Sequence, residues 1–325
     1  MIPIFQQRCS SLVQTLKENN LGAAAFVPGP NFYFLTGLKF SLMERPTLMF
    51  VTDSGDVLAI MPELEREMWS AAMGGATTFY WQDSDGFDKA FSDLAYELGT
   101  TKIGIEGQRM RAFESNALGA VFGSDTIIDA QAELAKPRLL KSDYEVKLIE
   151  KAIEISEISL SETLENIEAG MTEIAIRAIL MQRMLANGAD GFAFDIIALT
   201  GGNAAKPHGI PGDTQLRSGA PLLIDFGATY QGYSADITRT VFCEHITDEH
   251  AEIYEAVLAA NIAGRQMAAP AITCHEIDVK VSNTLRQTGF DDLVVHKTGH
   301  GLGLDVHEAP NVMINNHTPL ESGML

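Results

Sequence analysis

The strongest constraint on this chain is a repeat in its second part. From Asp143 to Cys243, a span of 101 residues, the spacing predicts a long helix to about Glu168 that stops at Gly170. A second helix is capped by Thr172 and reaches Asn187-Gly188. An apolar, strand-like run follows at Phe192–Leu199, then a glycine-rich loop through His208, then two strands flanking Tyr230. The order begins again at Thr247, with helices to about Ala268 and over Cys274–Thr288 and a strand near Leu293–His296. This second copy has 79 residues to Leu325 and no closing hairpin. Its last residues, Ser322-Gly323-Met324-Leu325, resemble Arg217-Ser218-Gly219-Ala220-Pro221-Leu222, which lead into the first hairpin. The repeat therefore predicts roughly two dozen further residues or more beyond Leu325.

The first third alternates differently. Strands are predicted near Ala23–Val27, Thr47–Thr52, Val57–Met61, Thr78–Trp81, Lys102–Glu106 and Thr126–Asp129, with a turn at Asp53-Ser54-Gly55-Asp56. Helices are predicted near Gln6–Asn19, Glu63–Ala72, Phe87–Leu98 and Met110–Phe122, while Gly29-Pro30-Asn31 and Thr36-Gly37 read as loops. The fold class is α/β (α+β), with a mixed sheet in a small domain over residues 1–133 and a second domain over 134–325. The break falls at Ala135-Lys136-Pro137-Arg138. No phosphate-cradling glycine pattern occurs in the first domain.

Acidic residues outnumber basic ones by 43 to 23, a formal charge of −20. An excess of that size argues against nucleic acid or an anionic membrane surface as the main partner. Three widely spaced cysteines, Cys9, Cys243 and Cys274, read as free thiols, and the first twenty residues hold no long apolar run. A cytoplasmic location is the expectation.

The histidines point to where chemistry lies. All eight fall at or after position 208. His245, His250, His275 and His317 read as ordinary polar residues, whereas His208, His296, His300 and His307 sit beside glycines or prolines. Three of them fall within Val295–Pro310, where three glycines let the backbone approach a ligand. Nearby in the repeat, Asp225 ends the apolar run Leu222–Phe226, where a buried carboxylate needs a partner or a metal. A turn centred between Tyr230 and Gln231 puts Asp225 directly opposite Asp236, so two carboxylates could bracket metal ions. The alternative is a structural ion pair with Arg239, although its odd separation from Asp236 turns it to the other strand face.

Three segments, FDIIALTGGNAAKPHG (194–209), LLIDFGATYQGYSADITRTVF (222–242) and HKTGHGLGLDVHEAP (296–310), resemble the pita-bread metallopeptidase family in its Xaa-Pro aminopeptidase and Xaa-Pro dipeptidase (prolidase) branch. Weaker matches are GPNFYFLTG (29–37), MERP (43–46) and RLLKSDYEVKLIEKA (138–152). The resemblance implies a creatinase-like N-terminal domain and a pseudo-symmetric catalytic domain. It implies two divalent metal ions, manganese first, with cobalt, zinc or iron as alternatives. Asp225, Asp236 and His300 match the family's ligands, and His208, His296 and His307 match its pocket histidines, His208 and His307 also contacting substrate. The expected substrate is a peptide with proline at its second position, and the expected assembly is a homodimer.

The family carries two further glutamate ligands in strands beyond the point matching Leu325, and neither Glu308 nor Glu321 corresponds to them. The expectation is thus a pita-bread domain lacking its last strands, in a fragment of a longer protein rather than a decayed homologue. Two other readings stand beside the peptidase. One is a hydrolase of a small non-peptide amide or amidine, as in creatinase-like and ectoine-degrading relatives. The other is an inactive scaffold.

Overall fold

The computed structural model describes residues 3–325. It divides into two compact units, Met1–Arg138 and Leu139–Leu325. Among the described residues no helix is long and apolar enough to cross a membrane.

The first unit is built on a six-stranded mixed sheet of β1 (Ala23–Phe26), β2 (Leu48–Thr52), β3 (Val57–Pro62), β4 (Thr77–Trp81), β5 (Ile103–Ile105) and β6 (Ile127–Asp129), in the order β4-β3-β2-β1-β5-β6. The pairs β1–β2 and β2–β3 are antiparallel and the other neighbours are parallel. Helices α1 (Pro3–Glu18), α2 (Pro30–Thr36), α3 (Arg66–Met73), α4 (Asp88–Leu98), α5 (Ala112–Phe122) and α6 (Gln131–Ala135) accompany it. Every strand of this sheet was legible in the apolar runs. Helix α2 was not, since its ends read as loops. Those loop residues are its boundaries: Pro30 takes the first turn, where no amide hydrogen is needed, and Gly37 closes it at φ 73°.

In the second unit α7 (Asp143–Leu164) and α8 (Glu173–Ala186) pack on a sheet of β8 (Ile197–Thr200), β9 (Pro221–Phe226) and β12 (Ile237–Phe242), ordered β12-β9-β8. A smaller sheet joins β7 (Gly191–Phe192), β10 (Ala228–Tyr230) and β11 (Tyr233–Ser234). The single strand expected over Phe192–Leu199 is therefore two strands, β7 and β8, in different sheets. Helices α9 (Asp248–Met267) and α10 (Cys274–Arg286) follow, then the antiparallel pair β13 (Gly299–Gly301) and β14 (Glu308–Val312). The strand expected near Leu293–His296 is exposed chain after a short 3-10 turn; pairing begins only at Gly299.

The repeat is written in the hydrogen bonds. Thr172 and Thr273, the N-caps of α8 and α10, bridge to Gln215 and Pro319 respectively. The amide of Leu216 donates to Met171 and the amide of Leu320 donates to Ile272; the amides of Gly170 and Ala271 return bonds to Leu216 and Leu320. Glu173 and Cys274, each the first residue of its helix, donate to Thr214 and Thr318. Capping by Ser142, Thr172, Thr247 and Thr273 starts the four helices α7 to α10 of the second unit at the residues where local side-chain chemistry puts them.

Candidate active site

Strand β9 alternates buried and half-buried residues. Leu222, Ile224 and Phe226 enter the core between α7, α8 and the sheet, and Asp225 faces the other way. The hairpin that brings back Asp236 differs from the sequence expectation in register. Thr238, not Asp236, lies opposite Asp225, and Tyr230 pairs with Tyr233 across the two-residue turn Gln231-Gly232. Both turn residues have left-handed φ, 48° and 82°, as a type I′ turn requires, and this moves the centre one residue later than expected. Asp236 remains on the same face as Asp225, at the diagonal position. The hairpin bends between β9 and β10 at Gly227, where a Cβ would lie 1.7 Å from the Ala235 carbonyl oxygen. Only glycine permits that approach.

The Thr238 hydroxyl donates to Asp225 Oδ1 at 2.7 Å. Arg239 is exposed and donates to the Thr238 carbonyl, while Asp236 Oδ2 lies 3.4 Å from His300 Nε2. The ion-pair alternative for Asp236 and Arg239 is thereby replaced by an aspartate–histidine contact. A backbone bond from the Ser234 amide to the Gly303 carbonyl ties the hairpin to the histidine segment. His300 and His307 meet edge to face with centroids 4.1 Å apart. Ligand atoms of Asp236, His300 and His307 lie within 4.8 Å of one another.

A cleft of about 390 Å³ opens beside this cluster, in the size range of small-ligand sites. Asp225, Asp236, His208 and His307 line it, together with apolar side chains such as Phe194, Ile196, Ile210 and Pro211. Burial pushes both carboxyls above the ordinary aspartate range. For Asp225 the Thr238 hydroxyl and the three neighbouring histidines oppose this; for Asp236 the Asp225 charge adds to it and His300 opposes it. His307 is held below the usual histidine value, by burial first, then by His300, Lys297 and His208, against the pull of Asp225. Its neutral form, with a lone pair to offer, is thus favoured.

The donor set fits a cation. His300 Nδ1 lies 3.0 Å from the Gly301 carbonyl, a contact that calls for the proton on Nδ1 and leaves the Nε2 lone pair toward Asp236. Two lone pairs facing each other at that distance repel unless a proton or a metal ion lies between them. Imidazole and carboxylate together suit first-row divalent metals.

A profile of metallopeptidase family M24 matches residues 147–325. The chain belongs to this family. The creatinase/prolidase N-terminal domain matches residues 8–140, so the pair of domains covers nearly the whole sequence. The Xaa-Pro dipeptidase of Pyrococcus horikoshii is 31% identical over 324 residues, spanning 99% of this chain and 88% of that protein. A crystal structure of prolidase from Thermococcus sibiricus superposes with a TM-score of 0.92 at 27% identity, covering 98% of this chain and 88% of the other. X-Pro aminopeptidase from Thermotoga maritima gives 0.81 at 28% identity, covering 96% and 88%. The M24 unit therefore has the pita-bread fold, and dependence on divalent metal comes with the family.

Within this M24 unit the sequence-predicted residues separate into two groups. Asp225, Asp236, His208, His300 and His307 come together at the cleft and at the aspartate–histidine cluster beside it. His296 does not line the cleft; it is exposed, with Nδ1 2.7 Å from the Lys297 carbonyl. Two residues that sequence reasoning passed over also matter. Glu173 is fully buried, and its carboxylate accepts from the Thr200 and Gly212 amides and from Asn203 Nδ2, fastening both ends of the loop that carries His208. Arg177, one turn along α8, lines the cleft. Glu173 and Arg177 at i and i+4 look like an ordinary helix-surface ion pair, which is why neither stood out.

Proposed function

We propose that this protein hydrolyses Xaa-Pro peptide bonds, with Asp225, Asp236 and His300 as metal ligands. The observation that carries the reading is the Asp236–His300 contact beside a cleft that also presents Asp225, His208 and His307. Its substrate class follows the relatives named as Xaa-Pro dipeptidase and prolidase. Divalent cations bound in such a site lower the pKa of water and polarise a carbonyl oxygen. In our reading two are held, manganese by preference. His307, kept neutral, either completes the coordination or hydrogen-bonds the substrate. His208, on its fastened loop, donates to the carbonyl oxygen as negative charge develops there. The apolar walls take the pyrrolidine ring. His296 is left outside this set because it is exposed and away from the cleft. We assign the protein to the cytoplasm and to a homodimer as part of the same reading.

The test is turnover of Ala-Pro by the purified full-length protein, with manganese content measured in parallel. Turnover is expected to need about two ions per chain and to vanish in Asp236→Ala, whose circular dichroism stays native. Full activity in chelator-treated, metal-free protein would overturn the assignment.

A further inference from the structure

We infer that Arg177 is a specificity residue of the cleft that binds a carboxylate of the substrate. Three observations lead there. Arg177 projects from α8 into the lining of the cleft that holds Asp225 and Asp236. Its Nε is enclosed, without a hydrogen-bond partner among the described residues. Its natural helix partner, Glu173, is already committed, since both carboxylate oxygens accept bonds from the His208 loop.

A guanidinium with an enclosed, unpaired Nε is an incomplete site. An N–H donor taken from water without a partner costs free energy, and the planar guanidinium fork matches a carboxylate bidentately. The remaining charged side chains lining the cleft, histidines apart, are Asp195, Asp225 and Asp236. Among the described residues that line the cleft, Arg177 is the only permanently cationic side chain, and so the one fixed partner for an anion. The cleft is therefore built to accept a ligand with one negative group placed toward α8 and a neutral, hydrolysable bond placed toward the aspartates. The carboxylate has two possible sources, the free C-terminus of a dipeptide or an acidic side chain. Only the identity of the molecule that carries it rests on the peptidase reading above.

Two substrate pairs distinguish the sources. Ala-Pro against Ala-Pro-amide isolates the terminal carboxylate, and Glu-Pro-amide against Gln-Pro-amide isolates the side chain. The metal-loaded wild-type protein is expected to prefer the charged member of one pair by about 10- to 100-fold in kcat/KM, chiefly through KM. In Arg177→Met that ratio should collapse to about one. Arg177→Lys, which keeps the charge but not the fork, should restore part of it. A ratio near one in both pairs for the wild type, or ratios unchanged in Arg177→Met, would refute the assignment. Absence of turnover of all four peptides by the wild type would instead count against the peptidase reading. In that case calorimetric binding of the same pairs decides the role of Arg177: a charged-member preference lost in Arg177→Met upholds it, and equal affinities or an unchanged preference refute it.

Discussion

Lys141 Nζ lies 2.6 Å from Glu308 Oε1, and the two side chains are 2% and 7% exposed. The pair joins the lead-in to α7 with the first residue of β14, 167 positions apart and immediately after His307. Removing one partner deprives the other, still buried, of its ion pair. Lys141→Met is expected to destabilise the M24 unit by about 3–5 kcal/mol in urea unfolding. The double variant Lys141→Met/Glu308→Leu should recover most of that loss. Equal stabilities for single and double variants would show that the two residues do not act as a pair.

Glu173 makes the corresponding prediction for the His208 loop. Glu173→Ala strands the Thr200 and Gly212 amides, at a cost of about 2–4 kcal/mol. Hydrogen exchange across residues 200–212 should rise, and KM for Ala-Pro should rise more than kcat falls. Unchanged exchange in that segment would mean the loop is held by other contacts.

The raised carboxyl pKa of Asp225 carries a pH signature. A folded-state pKa above the unfolded value means that the folded, metal-free protein binds protons more tightly and loses stability as pH rises through the carboxylate range. Asp225→Asn removes that penalty while its amide oxygen can still accept from Thr238. In metal-free protein the variant should match the wild type below the ordinary aspartate range. At neutral pH it should melt higher, by up to about 3 °C. On the proposed ligand set, added manganese should reverse the order, because the variant lacks the Asp225 carboxylate that would hold the ion. A variant less stable than metal-free wild type at neutral pH would contradict the assigned burial cost.

The three cysteines are free thiols, and burial raises the pKa of each. Cys9, deep in the first unit, is pushed up to about 11, and Cys274 is likewise buried, whereas Cys243 is half-exposed. A disulfide-exchange reagent at pH 8 should therefore modify Cys243 first in the native protein. Cys9 and Cys274 should react only as fast as the protein opens, and urea should expose all three. Fast native labelling of Cys9 would contradict its placement.

What the sequence determined by itself was local. Each strand of the first unit could be read from apolar spacing, and the starts of α8 and α9 from the caps Thr172 and Thr247, because those signals act within a few residues. The M24 motifs likewise singled out Asp225, Asp236, His208, His300 and His307, and with them His296, which lies exposed and outside the cleft. Tertiary structure decided the rest. The Gln231-Gly232 turn moved the hairpin register by one step of the centre, putting Thr238 rather than Asp236 opposite Asp225. Glu173 turned from a helix-surface residue into an anchor because the chain folded Thr200 and Gly212 over it, and this left Arg177 to the cleft. Lys141 met Glu308 across most of the second unit. Such pairings leave no trace in local periodicity, since their free energy arises only when segments distant in sequence share one low-dielectric interior.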